Sequence, residues 1–188
     1  MENKKLVITK YNTTWKSYDE LYGEEQNKKY ETILSNLTWT RKIKRIMDIG
    51  CGTGNFMNKI INKTKYTVGI DLSKNMLKEA KRKIRKNSWK TSLILADAEN
   101  IPIKNNCIDL TFAITLIQNL PNPEKFLIEN SRILRNKGKA IITAIKRIYK
   151  PEDIERIIQS NKKLKITMKI NLEDVADIIL FCKKLDNN

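Results

Sequence analysis

The 188-residue sequence predicts an α/β fold, a mostly parallel sheet with helices on both faces. Three observations carry this. After Arg45, extended apolar runs alternate with amphipathic helical segments, the order that builds a parallel sheet. The first run continues into IMDIGCGTGNF, where Gly50, Gly52 and Gly54 pave a turn that permits positive φ and close backbone approach to a ligand. The last two runs follow each other without a helix between them, so they pair antiparallel.

In chain order, a helical N-terminal region comes first. EEQNKKYETILSNL sets Tyr30, Ile33, Leu34 and Leu37 at helical spacing. RIMDI is the first strand, and the helix after it runs through NFMNKIINK. YTVGI is the second strand; Ser73 then caps KNMLKEAKRKIRK, whose Met76, Leu77, Ala80 and Ile84 form one apolar stripe. SLILA and CIDLTFAI are strands three and four. Asn122 and Pro123 open the next helix as N-cap and first residue; Leu127, Ile128 and Leu134 are expected to line it and Gly138 to stop it. KAIITAI is strand five, Pro151 begins the helix PEDIERIIQS, and LKITMKI and ADIILFCKK close the sheet.

Composition bounds the function. Cys51, Cys107 and Cys182 are isolated, which argues against a disulfide framework or a zinc site and fits a reducing cytoplasm. No apolar run approaches the roughly 18 residues of a membrane span, and the N-terminus carries no signal-peptide pattern. The net charge of +16 supports an anionic partner, but 29 of the 37 basic residues are Lys, the less specific phosphate ligand, and the Lys, Asn and Ile content matches an AT-rich genome. The chain has no His, which removes the commonest general base.

Ligands of open α/β sheets sit at the carboxyl ends of the strands. Four segments reach that edge: DIGCGTG, GIDLS with Asp71 at its tip, LADAE with Asp97, and AITLIQN. A carboxylate such as Asp71, about 20 residues past the first glycine, accepts both protons of a ribose diol. Asp48 and Asp71 each have a plainer reading as turn or helix caps, and Cys51 as a small residue that fits the turn. A dinucleotide-binding fold competes, but its third glycine position falls here on bulky Phe56.

The four ordered segments resemble the class I S-adenosylmethionine-dependent methyltransferases, from about Arg45 to Lys146, and YDELYGEEQNKKY is similar to the opening of small stand-alone archaeal members. The resemblance implies a Rossmann-like seven-stranded sheet of order 3-2-1-4-5-7-6 with strand seven antiparallel. It places Asp48, Gly50, Cys51, Gly52 and Gly54 around the methionine part of S-adenosyl-L-methionine and Asp71 on the ribose. Leu72 and Met76 would lie beside the adenine, Asp97 and the amide of Ala98 would read its amino edge, and Ala113 and Ile114 would complete the pocket. The whole of 1–188 is expected to be a single domain, with a helical lid over 1–40 and a catalytic core over 41–188.

The reacting residues are sought on two segments. Gln118 and Asn119 stand where related small-molecule enzymes often carry a His pair; NLP comes too late after strand four to be an N-P-P-Y signature. Tyr11, Trp15, Tyr18 and Tyr22 can fold over the cofactor, with Tyr18 and Tyr22 as catalytic candidates, or simply pack the segment on the sheet. With no long insertion after strand five, an open basic face is expected, suited to RNA or a protein of the translation machinery. A quinone-type small-molecule C- or O-methyltransferase and a non-catalytic cofactor-binding module are the alternatives. Strand three falls at a sheet edge in this order, apolar on both faces. Ser92, Leu93, Ile94 and Leu95 are therefore expected to offer pairing to the small zinc-binding activator that several such methyltransferases use.

Overall fold

The computed structural model describes residues 2–40 and 43–186; Arg41, where the expected core begins, lies outside them, as do both chain ends. Two helices, α1 (Glu2–Thr14) and α2 (Tyr18–Ser35), precede the sheet. The sheet comprises β1 (Arg45–Ile49), β2 (Tyr66–Asp71), β3 (Thr91–Leu95), β4 (Ile108–Ala113), β5 (Leu134–Ile145), β6 (Leu164–Ile170) and β7 (Asp177–Lys184). The helices among them are α3 (Asn55–Ile60), α4 (Lys74–Lys83), α5 (Pro123–Ile133) and α6 (Pro151–Ser160). The strand order is β3-β2-β1-β4-β5-β7-β6, parallel except for β7. This is the expected Rossmann-like topology.

The central strands are apolar on both faces because both faces are covered. Met47, Ile49, Ala140, Ile142, Ile178 and Leu180 pack with Phe126 and Leu127 of α5 and Ile154 and Ile158 of α6. The alternate residues Ile46, Phe112, Ile141 and Ile179 face Tyr30 and Ile33 of α2 and Phe56 and Ile60 of α3. Ser73 caps α4 by accepting from the Met76 N–H, and Asn122 caps α5 by accepting from the Lys125 N–H, as the cap signals predict.

The end of α5 differs from expectation. Ile128 is exposed, Leu134 is already the first residue of β5, and Gly138 lies inside that strand rather than stopping the helix. Between Ile108 and Leu110 of β4 the partner register jumps from Leu134 to Lys139, so Arg135–Gly138 bulges out of the ladder with Lys137 at φ 62°. Arg135 is held there by an ion pair to Asp109, and a Cβ on Gly138 would stand 2.8 Å from the Arg135 carbonyl oxygen. The glycine serves a bulge. Helix α4 is also shorter than its stripe, and residues 85–90 wind as a 3-10 helix.

Candidate functional site

The turn after β1 is pinned to the tip of β2. Gly50 N–H and Cys51 N–H both donate to the Ile70 carbonyl at 2.8 and 2.9 Å. Asp71 reaches back: its Oδ2 accepts from Gly52 N–H at 2.9 Å and its Oδ1 from Ser73 N–H at 2.8 Å. With the Leu72 N–H also donating to it, the carboxylate still has acceptor capacity for a further donor. Burial raises the Asp71 pKa, opposed by those backbone donors. Gly54 takes φ 79° as the N-cap of α3, and a Cβ there would press on Ala80 of α4 at 3.0 Å. At Gly52 a Cβ would meet nothing within 4 Å, so the backbone faces open space.

Three clefts converge at Tyr18. The first, about 690 Å³ including its mouth, lies between Asp71, Leu72, Met76 and Ala98 below and Val7, Ile8 and Tyr11 of α1 above. The smallest, about 360 Å³, is bordered by Asp48, the Gly50–Gly52 turn and Gln26. Cys51 and Ile114 line it too, whereas Ala113 is buried beneath. The largest, about 1260 Å³, is lined by Tyr22, Glu25, Gln118, Asn119, Arg147 and Glu173. Tyr11 and Tyr18 are near each other at 6.0 Å between ring centroids, Tyr18 and Tyr22 at 5.1 Å. These three tyrosines border the clefts, and Trp15 does not.

The electrostatics of the turn are set by burial. Asp48 is 2% exposed and its pKa is pushed up to about 8, first by burial and then by the neighbouring charge of Asp71. The Cys51 thiol is pushed far up by burial, so it is no nucleophile. Tyr18 is likewise raised by burial, and Tyr11 less so, which keeps both phenols protonated.

Both N-terminal helices are fastened over these clefts. Lys4 Nζ lies 2.6 Å from Asp97 Oδ2 and 2.6 Å from Glu99 Oε2, so the Asp97 carboxylate is engaged by α1. Asn12 accepts from Ser73 Oγ at 2.6 Å through its side chain, and its carbonyl accepts from Asn75 Nδ2 at 3.0 Å. In α2, Asp19 accepts from Thr53 Oγ1 at 2.7 Å and Asn55 Nδ2 at 2.8 Å and pairs with Lys83.

Sequence reasoning missed a buried cluster that touches the large cleft through Thr115. Lys29 and Asp177 are both fully buried, 2.8 Å apart, with Thr115 and Thr143 bonded around them. The available signal was a Lys on the same helical stripe as Gln26, Tyr30 and Ile33, and an Asp opening an apolar strand. Gln118 and Asn119 do reach this cleft, both donating to the Thr115 carbonyl, and Asn119 Nδ2 also donates to Tyr11 Oη at 3.1 Å.

The methyltransferase-domain family matches residues 47–142. An uncharacterized protein of Methanocaldococcus jannaschii is 34% identical over 90% of the chain. A demethylmenaquinone methyltransferase of Staphylococcus aureus is 28% identical over 74% of it. The chain spans 64% and 60% of the lengths of these two relatives. Among solved structures, a methyltransferase held by the Haloferax volcanii Trm112 methyltransferase activator superposes with a TM-score of 0.84 at 11% identity, covering 96% of this chain and 99% of that one. On its sequence match, its sheet order and its glycine turn, the chain belongs to the methyltransferase-domain family, with the class I S-adenosylmethionine-dependent fold.

Proposed function

We propose that the chain is an S-adenosyl-L-methionine-dependent methyltransferase whose acceptor enters the large cleft and is RNA or a protein of the translation machinery. The carrying observation is the meeting of three clefts at Tyr18, two of them built on the glycine turn. The site's chemistry fits the cofactor. Asp71 has free lone pairs for a ribose diol, Leu72, Met76 and Ala98 offer an apolar slot for a purine, and Asp48 faces the cleft sized for an amino-acid tail. When bound, the cofactor supplies a methyl group on a sulfonium that already carries its own leaving group. What the protein then does is orient the acceptor and exclude water.

Residues 1–40 act as a lid in this reading, with Tyr18 and Tyr22 presenting ring faces to the reacting groups. Gln118 and Asn119 hold the acceptor. The protonated phenols serve as donors, not bases, and a proton leaves to Glu25, Glu173 or water. Lys10, Lys146 and Arg147 at the mouth of the same cleft supply the positive rim that favours RNA. Labelled methyl from the cofactor, offered to RNA, protein and small-molecule fractions of the native cell, tests this. Transfer into RNA or protein is the expected result; label confined to small molecules establishes the second reading, a quinone-type enzyme, favoured by the S. aureus relative. Cofactor binding without label in any fraction would make the chain a binding module.

The edge strand adds a partner. Leu95 is exposed on β3, Trp89 stands out beside it, and no strand covers that side of the sheet among the described residues. A small activator subunit extending the sheet along Ser92, Leu93, Ile94 and Leu95 is supported by the Haloferax neighbour, which is itself held by an activator.

A further inference from the structure

We infer that the buried Lys29–Asp177 pair positions the acceptor-holding loop: acting through Thr115, it sets the segment carrying Gln118 and Asn119 and couples it to α2. This rests on the reading of the large cleft as the acceptor cleft. Lys29 Nζ donates to Thr115 Oγ1 at 2.5 Å and meets Asp177 Oδ1 at 2.8 Å. Thr115 Oγ1 in turn donates to Asp177 Oδ2 at 3.1 Å. Thr143 closes the ring from β5: its Oγ1 donates to the same Asp177 oxygen at 2.5 Å and accepts from Thr115 N–H at 2.8 Å. One residue thus receives contacts from α2, β5 and β7.

That residue is strained. Thr115 has φ 55°, a conformation that β-branched side chains rarely adopt and that persists only where the surroundings over-determine it. Its backbone carbonyl then accepts from both Gln118 Nε2 and Asn119 Nδ2. Because a carbonyl oxygen only accepts, both amide nitrogens must turn inward, which fixes the orientation of both side chains at the cleft. A buried ion pair is a poor stabiliser, since apolar replacements of the same volume are often no worse. Its use here is to select one loop conformation. The same Lys29 sits between Gln26 and Tyr30 on α2, whose Tyr18 and Tyr22 form part of the wall of the same cleft. Loop and wall are therefore set by one contact.

The test uses the full chain with Lys29→Met and Asp177→Asn combined, so that no lone buried charge remains; Thr143→Val, uncharged and nearly isosteric, replaces it if the pair does not fold. Hydrogen exchange read by mass spectrometry is expected to accelerate by about tenfold over residues 115–120 and to stay unchanged over the 45–54 turn. Affinity for S-adenosylhomocysteine, whose cleft the same loop also borders, should weaken by less than the acceptor's. The half-saturating amount of whichever native-cell fraction the unaltered protein methylates should rise by about fivefold or more. Wild-type exchange over 115–120 in a folded variant overturns the inference, and so does uniform acceleration along the chain, which would mark a general staple. An unaltered protein that neither binds S-adenosylhomocysteine nor labels any fraction sinks the functional reading instead, and the exchange result still decides the loop.

Discussion

At the scale of single residues, Asp48 carries a sign that can be checked. Its carboxyl titrates near 4 in the unfolded chain and at about 8 in the fold. Between those values the folded state holds a proton that the unfolded state has lost. The contribution is therefore fully present below about pH 4 and is lost as pH rises to about 8, a slope of roughly 1.4 kcal/mol per pH unit. Melting of the cofactor-free protein should show falling stability across that window, and Asp48→Asn should flatten much of the fall. Cofactor binding should run the other way. An ammonium placed beside Asp48 favours its ionised form, so affinity for S-adenosylhomocysteine should rise from about pH 6 to about pH 7.5 with proton release, and Asp48→Asn should abolish that trend. Asp71 gives a second expectation. Its loss as Asp71→Ala removes two charge-assisted bonds to a ribose, each worth about 1.5–3 kcal/mol, and should weaken S-adenosylhomocysteine by a hundredfold or more on the order of those energies. Cys51→Ala should change it only a few fold by the same calorimetry, on the order of one lost van der Waals contact. The places of Asp48, Asp71 and the glycines were legible because they lie at the ends of strands and in the turn after the first. Lys29, Asp177 and Thr115 were not, because their partners lie 62 to 148 residues apart in the chain and no local pattern links them.

At the scale of elements, the edge strand is where sequence and structure agree most directly. The resemblance put β3 at an edge and its apolar alternation without a Pro left it unguarded; β3 lies at the end of the sheet with Leu95 exposed. Co-expression with an activator subunit from the same organism should give co-purification and higher solubility. Leu95→Lys should abolish both while leaving S-adenosylhomocysteine binding by the isolated chain intact, since Leu95 is exposed and lines none of the three clefts. Unchanged co-purification would show that the partner docks elsewhere. Helix caps at Ser73 and Asn122 were legible for a local reason, a side-chain acceptor three residues before a free N–H. The end of α5 was not, because Gly138 reads the same in a helix stop as in a bulge. The choice was made by Asp109, which gathers the N–H groups of Lys44 and Arg45 and the Arg135 guanidinium from two separate segments. Gly54→Ala tests the packing of two elements at one point. With φ 79° and Ala80 at 3.0 Å, it should lower stability by about 1–3 kcal/mol in denaturant titration.

For the molecule as a whole, a net charge of +16 matters through its placement at the cleft mouth, where Lys10, Lys146 and Arg147 outnumber Glu25 and Glu173. Binding to single-stranded RNA from the native cell should weaken steeply with salt. Lys10→Ala with Arg147→Ala should reduce the logarithmic slope by about 1.4, two phosphate contacts at roughly 0.7 each; an unchanged slope would place the RNA elsewhere. The mostly parallel sheet was readable from the alternation of runs, and its strand order from the resemblance that the four ordered segments carry. The seating of the two leading helices was not, since it depends on side chains meeting across the molecule. That seating is unequal. Helix α2 is anchored by a fully buried ion pair and by Tyr30 against Phe56 at 4.9 Å between ring centroids, whereas α1 rests on Lys4 and Asn12 at the rim. A partly exposed ionic contact yields more readily than a buried one. Helix α1 is therefore the more readily displaced of the two, and it borders both sides, with Val7, Ile8 and Tyr11 over the adenosine cleft and Lys10, Tyr11 and Thr14 on the large one. One moving part would then serve two passages: displacing α1 would open the way for the spent cofactor and widen the mouth of the large cleft at the same moment. Turnover would be paced by the departure of the spent cofactor, and raising ionic strength, by loosening α1, would shorten its residence time.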